Sequence, residues 1–312
     1  MDHDSYPECA FLEVVHVRVT NQMMNIQLLQ NLRQSNERTL KMQDQLATGS
    51  RIHRPGDDPV GVGYVMRYDS ELSRNEEFLE NANTALGWLR TMDTVLKQAM
   101  DVLHRARVLV QQAATGTTGE QGREAIAIEM EQLREQMVLI GNSEYGGRYM
   151  FNGQKTDVAP YSLDNAPNDT TNKGVFRLNV APGISVPVSI TGEVIFGEAG
   201  SEQNVFKVFD DIITHLRNGD QEQLAQSLGR IDERMDNIST QWSEVGARTN
   251  RFELIVQRLT DQEVNLKTLR SEVNDVDMAK IIIDLKTQES VHQAALATGA
   301  RIMQVSLLDF LR

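Results

Sequence analysis

Residues 72–110 read LSRNEEFLENANTALGWLRTMDTVLKQAMDVLHRARVLV, and this stretch decides the fold. Leu72, Leu79, Ala82, Leu86, Leu89, Leu96, Met100, Leu103 and Val110 fall on alternating three- and four-residue spacings. Apolar residues at that period form one face of an α-helix, and a face this long must be packed against another helix. Asn75, Asp93 and Arg107 interrupt the seam, so it is not a plain two-stranded zipper.

Outward from the seam, AATGTTGEQG (113–122) breaks the helix with glycines and threonines. Ile126, Met130, Leu133, Met137 and Ile140 then form a second seam, which predicts an antiparallel helical hairpin. The character changes near residue 146. Four of the seven prolines (Pro160, Pro167, Pro182, Pro187) lie between there and residue 200. GVFRLNV and ISVPVSITGEVIFG are β-branched and alternating, which predicts two to four short strands. Helical periodicity resumes at Val205, Val208, Phe209, Ile212 and Leu216, and NGD (218–220) ends it. A longer seam runs from Leu224 through Leu228, Ile231, Met235, Ile238, Trp242 and Val245 to Val276, and reads as the longest regular element of the chain. The last segment carries Met278, Ile282, Leu285, Leu296, Met303, Leu307 and Phe310 on one helical face.

The expected architecture is mainly α: a long antiparallel helical bundle or coiled-coil rod. Both termini would lie at one end and a small β-rich insert at the other. Residues 17–55 with 277–312 make a terminal coiled-coil region, and 56–145 with 201–276 the helical rod. Residues 146–200 make the β-rich part. Residues 1–16 stand apart as a leader: they lack the helical pattern that begins at RVTNQMM (18–24).

Composition excludes several function classes. The net charge of −13 does not suit a phosphate-backbone partner, so nucleic acid is not expected. No apolar run approaches the length of a membrane span. The first residues have no Lys or Arg before Arg18, unlike a secretory signal peptide. The single cysteine, Cys9, can make neither an internal disulfide nor a cysteine metal site. None of the six histidines has a second His or Cys at ligand spacing, and there is no HExxH, phosphate-binding GxxxxGK or GxSxG motif. No cofactor, metal or catalytic residue is expected.

RPGDDPVG (54–61) is the one compact polar cluster. Pro55-Gly56 reads as a turn. Asp57 or Asp58 is suited to accept hydrogen bonds from the free N–H groups at the next helix start. Pro59 fits the first helical turn, where a missing N–H costs nothing. Two adjacent Asp side chains point in different directions, so a metal site is the weaker reading.

RVTNQMM (18–24), QDQLATGSRIHRPGDDPVG (43–61), AIEMEQLREQM (127–137) and GGRYMFNGQKT (146–156) together resemble the hook-associated protein 3 family. These are the hook–filament junction proteins of the bacterial flagellum and relatives of flagellin. VNDVDMA (273–279) and QAALATGARIMQVSLLDFL (293–311) are similar to that family's C-terminal end. The resemblance runs from Val17 onward and is weakest across 157–200. Flagellin is the near competitor, but ATGSRIHRPGDDPVG and the SLLDFLR ending match the junction form.

The resemblance implies a structural protein exported unfolded by the flagellar type III apparatus. It would assemble as a homo-oligomeric ring outside the cell, between hook-associated protein 1 and the first flagellins. An export chaperone would hold its C-terminal helix beforehand. Met24, Leu28 and Leu46, with Met278, Ile282, Leu285, Leu296, Met303, Leu307 and Phe310, are the expected assembly and chaperone contacts. Roughly residues 18–50 and 277–312 are expected to be loosely ordered in the monomer and to order on assembly. Relatives begin MRVTNQMM where this chain has Val17, so Val17 is the expected native start. A flagellin-like filament subunit, a cytoplasmic coiled-coil scaffold and an enzyme with a helical accessory region are the competing classes.

Overall fold

The computed structural model describes residues 21–116 and 118–310, with side chains described from 23 to 301 apart from 117. The expected leader 1–16 and the start at Val17 lie outside the described residues. The chain is mainly α-helical, with seven helices and two small antiparallel sheets among the described residues. It divides into two units, Met1–Asp69 with Thr268–Arg312, and Ser70–Lys267.

The larger unit is built on α2 (Pro59–Ala114), α3 (Glu120–Gly141), α5 (Val205–Asn218) and α6 (Gln221–Asn274). At 56 residues, α2 and not α6, with 54, is the longest element. The continuous apolar pattern of α6 made it look longer in sequence. In α2 the expected seam is only one of two buried stripes. Ala85, Trp88, Met92, Val95, Ala99, Val102, Ala106 and Leu109 are also buried, so the helix packs on a broad face and shares one core with α3, α5 and α6.

The three seam faults all turn to α6. Asn75 Nδ2 donates to the Leu259 carbonyl at 2.9 Å. Asp93 Oδ1 accepts the Trp242 indole N–H at 2.5 Å. Arg107 Nε pairs with Asp232 at 2.6 Å. The partner number falls as the α2 number rises, so α2 and α6 run antiparallel.

Helix α5 is a sharply bounded amphipathic helix. Asn204 caps its start, accepting from Phe206 N (3.0 Å) and Lys207 N (3.4 Å). Gly219, with φ of 80°, ends it and donates its N–H to the His215 carbonyl at 2.9 Å.

The insert holds two hairpins. Strands β1 (Glu144–Tyr145) and β2 (Arg148–Tyr149) are joined by Gly146-Gly147, both at positive φ as a tight hairpin turn requires. Strands β3 (Arg177–Ala181) and β4 (Ile184–Pro187) pair with a register shift between Asn179 and Ala181. The strand expected to continue through GEVIF is instead a short helix, α4 (Gly192–Phe196). Burial overrides the β-branched pattern there. Ile195 and Phe196 turn into an aromatic cluster with Phe151, Tyr161 and Phe206, and Tyr161 meets Phe206 at 4.8 Å between ring centroids. Burial also pushes the Tyr161 hydroxyl far above its ordinary value.

Candidate assembly interface

The smaller unit pairs α1 (Asn21–Thr48) with α7 (Met278–Phe310). Gly299 lies against Leu28, and Ser35 meets His292, so the N-terminal end of α1 lies beside the C-terminal part of α7. A Cβ on Gly299 would sit 2.7 Å from Leu28 Cδ2, so only glycine permits this approach without displacing Leu28.

The contact is a heptad seam. On α1, Leu28, Leu32, Ser35, Thr39, Met42 and Leu46 are at least half covered. On α7, Ile281, Leu285, Gln288, His292, Ala295 and Gly299 are covered to the same degree. Midway along it sits a polar layer. Ser35 Oγ accepts from Gln288 Nε2 at 3.0 Å and meets His292 Nδ1 at 3.1 Å. A satisfied polar layer costs some stability and penalises any slip of the two helices, since a slip leaves these groups unpaired.

The sequence-selected apolar residues divide between two stripes. Leu28 and Leu46 are half-buried in the seam, and Leu285 is buried there. Met24 on α1, and Met278, Ile282 and Leu296 on α7, are exposed, from 41% to 49%. Ile283 and Val291 add to the exposed apolar surface of α7. Thus α7 does not present one apolar face: it has a covered stripe and an adjoining exposed one. The side chains of Met303, Leu307 and Phe310 lie outside the described residues. Sequence reading passed over Gln288, His292 and Gly299 because none is apolar. The spacing of Leu28, Leu32, Ser35, Thr39, Met42 and Leu46 was the available signal.

A clasp closes the unit where α1 ends and α6 ends. Ser50 and Asp275 form an antiparallel bridge, and Val276 N donates to the Gly49 carbonyl at 3.0 Å. Arg51 Nη2 donates to the Val273 carbonyl at 2.7 Å, and its Nε to the same oxygen at 3.1 Å. Ser50 Oγ donates to Asn274 Oδ1 at 2.9 Å. The last carbonyls of a helix have no intrahelical partner, and here Arg51 fills that role for α6.

Residues 54–61 turn the chain from this clasp into α2. Asp58 precedes the helix, and its Oδ1 accepts the Gly61 N–H at 2.9 Å while Oδ2 pairs with Arg51 at 3.3 Å. Pro59 is the first helical residue. Pro55 and Gly56 are exposed in the turn. Asp57 faces the other way: Oδ1 meets Lys41 Nζ at 2.6 Å, and Oδ2 accepts from the Arg54 and His53 N–H groups at 3.1 and 3.3 Å. The Lys41 hydrogen bond, followed by that from Arg54 N, holds the Asp57 carboxyl at about 2. The two carboxylates therefore do not converge on one point. No group of three or more metal-ligating side chains occurs among the described residues, and no described helix is long and apolar enough to cross a membrane.

Comparison with known proteins gives this arrangement its context. Residues 19–156 match the bacterial flagellin N-terminal helical region, and residues 228–311 the bacterial flagellin C-terminal helical region. Flagellar hook-associated protein 3 of Salmonella typhimurium is 24% identical over 95% of this chain and 100% of its own length. Flagellin of Bacillus subtilis is 27% identical over 92% of this chain and 97% of its own length. Among solved structures, flagellar hook-associated protein 3 from Legionella pneumophila superposes with a TM-score of 0.59 at 17% identity, covering 66% of this chain and 99% of that one. FlgL from Xanthomonas campestris gives 0.58 at 20% identity, covering 65% and 99%. These structures share the fold. With both helical regions matched across more than half of its residues, the chain belongs to the flagellin-related family of bacterial flagellar structural proteins, which includes hook-associated protein 3.

Proposed function

We propose that this protein is the subunit of the flagellar hook–filament junction. It leaves the cell unfolded through the type III export apparatus, with a chaperone on its C-terminal helix. It then polymerises as a ring between hook-associated protein 1 and the first flagellins, outside the cell. Residues 17–55 and 277–312 form the assembly region, and the insert at 146–200 is the outward-facing part of the ring.

The exposed apolar stripe of α7 carries this reading. Met278, Ile282 and Leu296 lie beside a seam that α1 already fills, so a monomer leaves them in water. Burial against a neighbouring copy removes that exposure, and burial against a chaperone does so before export. The full-length similarity to proteins named hook-associated protein 3 directs the reading to the junction.

A filament subunit is the second reading, supported by the similarity to Bacillus subtilis flagellin. Deleting the gene in its own bacterium separates the two. A junction subunit predicts hooks without filaments and flagellin released into the medium. Loss of filament with no released flagellin fits the filament reading, and normal filaments sink both.

A further inference from the structure

The methionines divide between the two units. Among the residues with described side chains, Met23 (53%), Met24 (41%), Met66 (67%) and Met278 (45%) are exposed, and all four belong to the smaller unit. In the larger unit Met92, Met130, Met137 and Met150 are fully buried, and Met100 and Met235 are packed against the core. Met42, in the α1–α7 seam, is half-buried. On α7, Met278 continues the bare stripe of Ile282 and Leu296; on α1, Met23 and Met24 stand near Ile26 and Leu29, which are also exposed.

Sulfur does what a carbon side chain cannot. Leucine would give a helix about the same apolar surface without any redox chemistry. A methionine sulfur lone pair attacks one oxygen of hydrogen peroxide and the O–O bond breaks. The departing hydroxide takes up the proton of the transferred OH. Sulfur gains one oxygen and loses two electrons, the peroxide is reduced, and water leaves. The sulfoxide is polar, and carrying it into an apolar contact strands its oxygen without a donor. A buried sulfur meets peroxide only when the structure opens, whereas an exposed one meets it directly.

We infer that the exposed methionines make polymerisation sensitive to peroxide. Oxidation of Met23, Met24 and Met278 turns the bare apolar surface of α1 and α7 polar and stops subunits from associating. The folded monomer survives, because the methionines of the larger core are covered. Reduction of the sulfoxides restores assembly. This inference rests on the assembly reading proposed above.

The test uses the full chain carrying Cys9→Ser, which removes the one other type of sulfur side chain that peroxide attacks. The monomer is treated with hydrogen peroxide, mapped by peptide mass spectrometry and followed by light scattering. Met23, Met24, Met66 and Met278 are expected to oxidise at least about tenfold faster than Met92, Met130, Met137 and Met150, whose reaction waits on opening. The concentration needed for polymerisation should rise at least about tenfold, as a polar group buried in an apolar contact implies. The circular dichroism and thermal melt of the monomer should not change, and methionine sulfoxide reductases should restore polymerisation. A variant with Met23→Leu, Met24→Leu, Met278→Leu and Met303→Leu should polymerise before and after peroxide alike. Met303 joins the set because its spacing puts it on the same helical face as Met278. Met66→Leu alone should stay as sensitive as the parent chain. Oxidised subunits that polymerise as readily as untreated ones overturn this inference and leave the assembly reading standing. Untreated subunits that never polymerise overturn the assembly reading and this inference with it. Oxidation of the buried methionines at the same rate, unfolding of the oxidised monomer, or undiminished sensitivity of the leucine variant also overturns the inference.

Discussion

Asn75 on α2 and Leu259 on α6 are joined by a side-chain amide to backbone carbonyl bond of 2.9 Å, across 184 residues of chain. It lies in the α2–α6 interface, which also carries the Asp93–Trp242 and Arg107–Asp232 pairs. A polar residue in a helical seam is tolerated only when its neighbour satisfies it, and this bond exists in one register of the two helices.

Asn75→Ala should cost about 1 kcal/mol in a urea melt, the usual net worth of one such bond. Asn75→Asp should cost about 3 kcal/mol or more at neutral pH, because a carboxylate cannot donate to the Leu259 carbonyl and is buried without a partner. Equal costs for the two variants would show that the bond does not hold the helices in register.

Gly61 stands where a Cβ would meet Asp58 Oδ2 at 2.5 Å and Ile52 Cδ1 at 2.6 Å. Gly61→Ala should therefore displace the Asp58 carboxylate from the start of α2. The expected loss is about 1–2 kcal/mol, that of a helix cap, despite alanine's better helix propensity. Hydrogen exchange at the Gly61 position and its neighbours, compared with Asp58→Ala, checks this: the two variants should expose the same amides.

The Asp57 carboxyl titrates at about 2 in the folded protein against an ordinary 3.8. A depressed carboxylate stabilises the fold above its unfolded value, and that contribution disappears as the pH falls through the folded value. The stability difference between the wild type and Asp57→Asn should be complete above about pH 5 and should vanish by about pH 1. Thermal melts of both proteins across that interval measure it. A difference that grows on acidification contradicts the assignment.

Ile282→Glu and Leu296→Glu should block polymerisation and leave the monomer's melting and circular dichroism unchanged, since both side chains are exposed before assembly. Leu285→Glu should lower monomer stability as well, because Leu285 is in the covered seam. Light scattering of purified subunits separates the two effects.

Limited proteolysis should cut within α1 and α7 before it cuts between residues 60 and 140. The α1–α7 seam is one stripe deep and contains Ser35, Gln288, His292 and Gly299, whereas α2 is buried along two stripes. Few buried apolar contacts mean low local opening energies. Equal resistance of both regions would count against ordering on assembly.

The terminal residues show why part of the interface was unreadable in advance. Met278, Ile282 and Leu296 announce themselves as an apolar stripe by spacing alone. The stripe that meets α1 includes Gln288, His292 and Gly299, which belong to no hydrophobic pattern. Each acquires its role from a residue more than 250 positions away, Ser35 or Leu28. GEVIF failed in the opposite way. Its β-branched composition suggested strand, but the aromatic cluster around Phe196 needed the short helix of α4.

The sequence by itself determined where the helices run and where they break. Helical periodicity is a local property of spacing, and Gly, Pro, Asn and Asp act on their own backbone and its immediate neighbours. Only the tertiary structure decided which stripe is covered and which is left bare. It alone matched Asn75, Asp93 and Arg107 to Leu259, Trp242 and Asp232, and sent Asp57 and Asp58 to different partners. Whether a polar group is a fault or a fastener depends on what lies opposite it in space, which its neighbours in the chain do not encode.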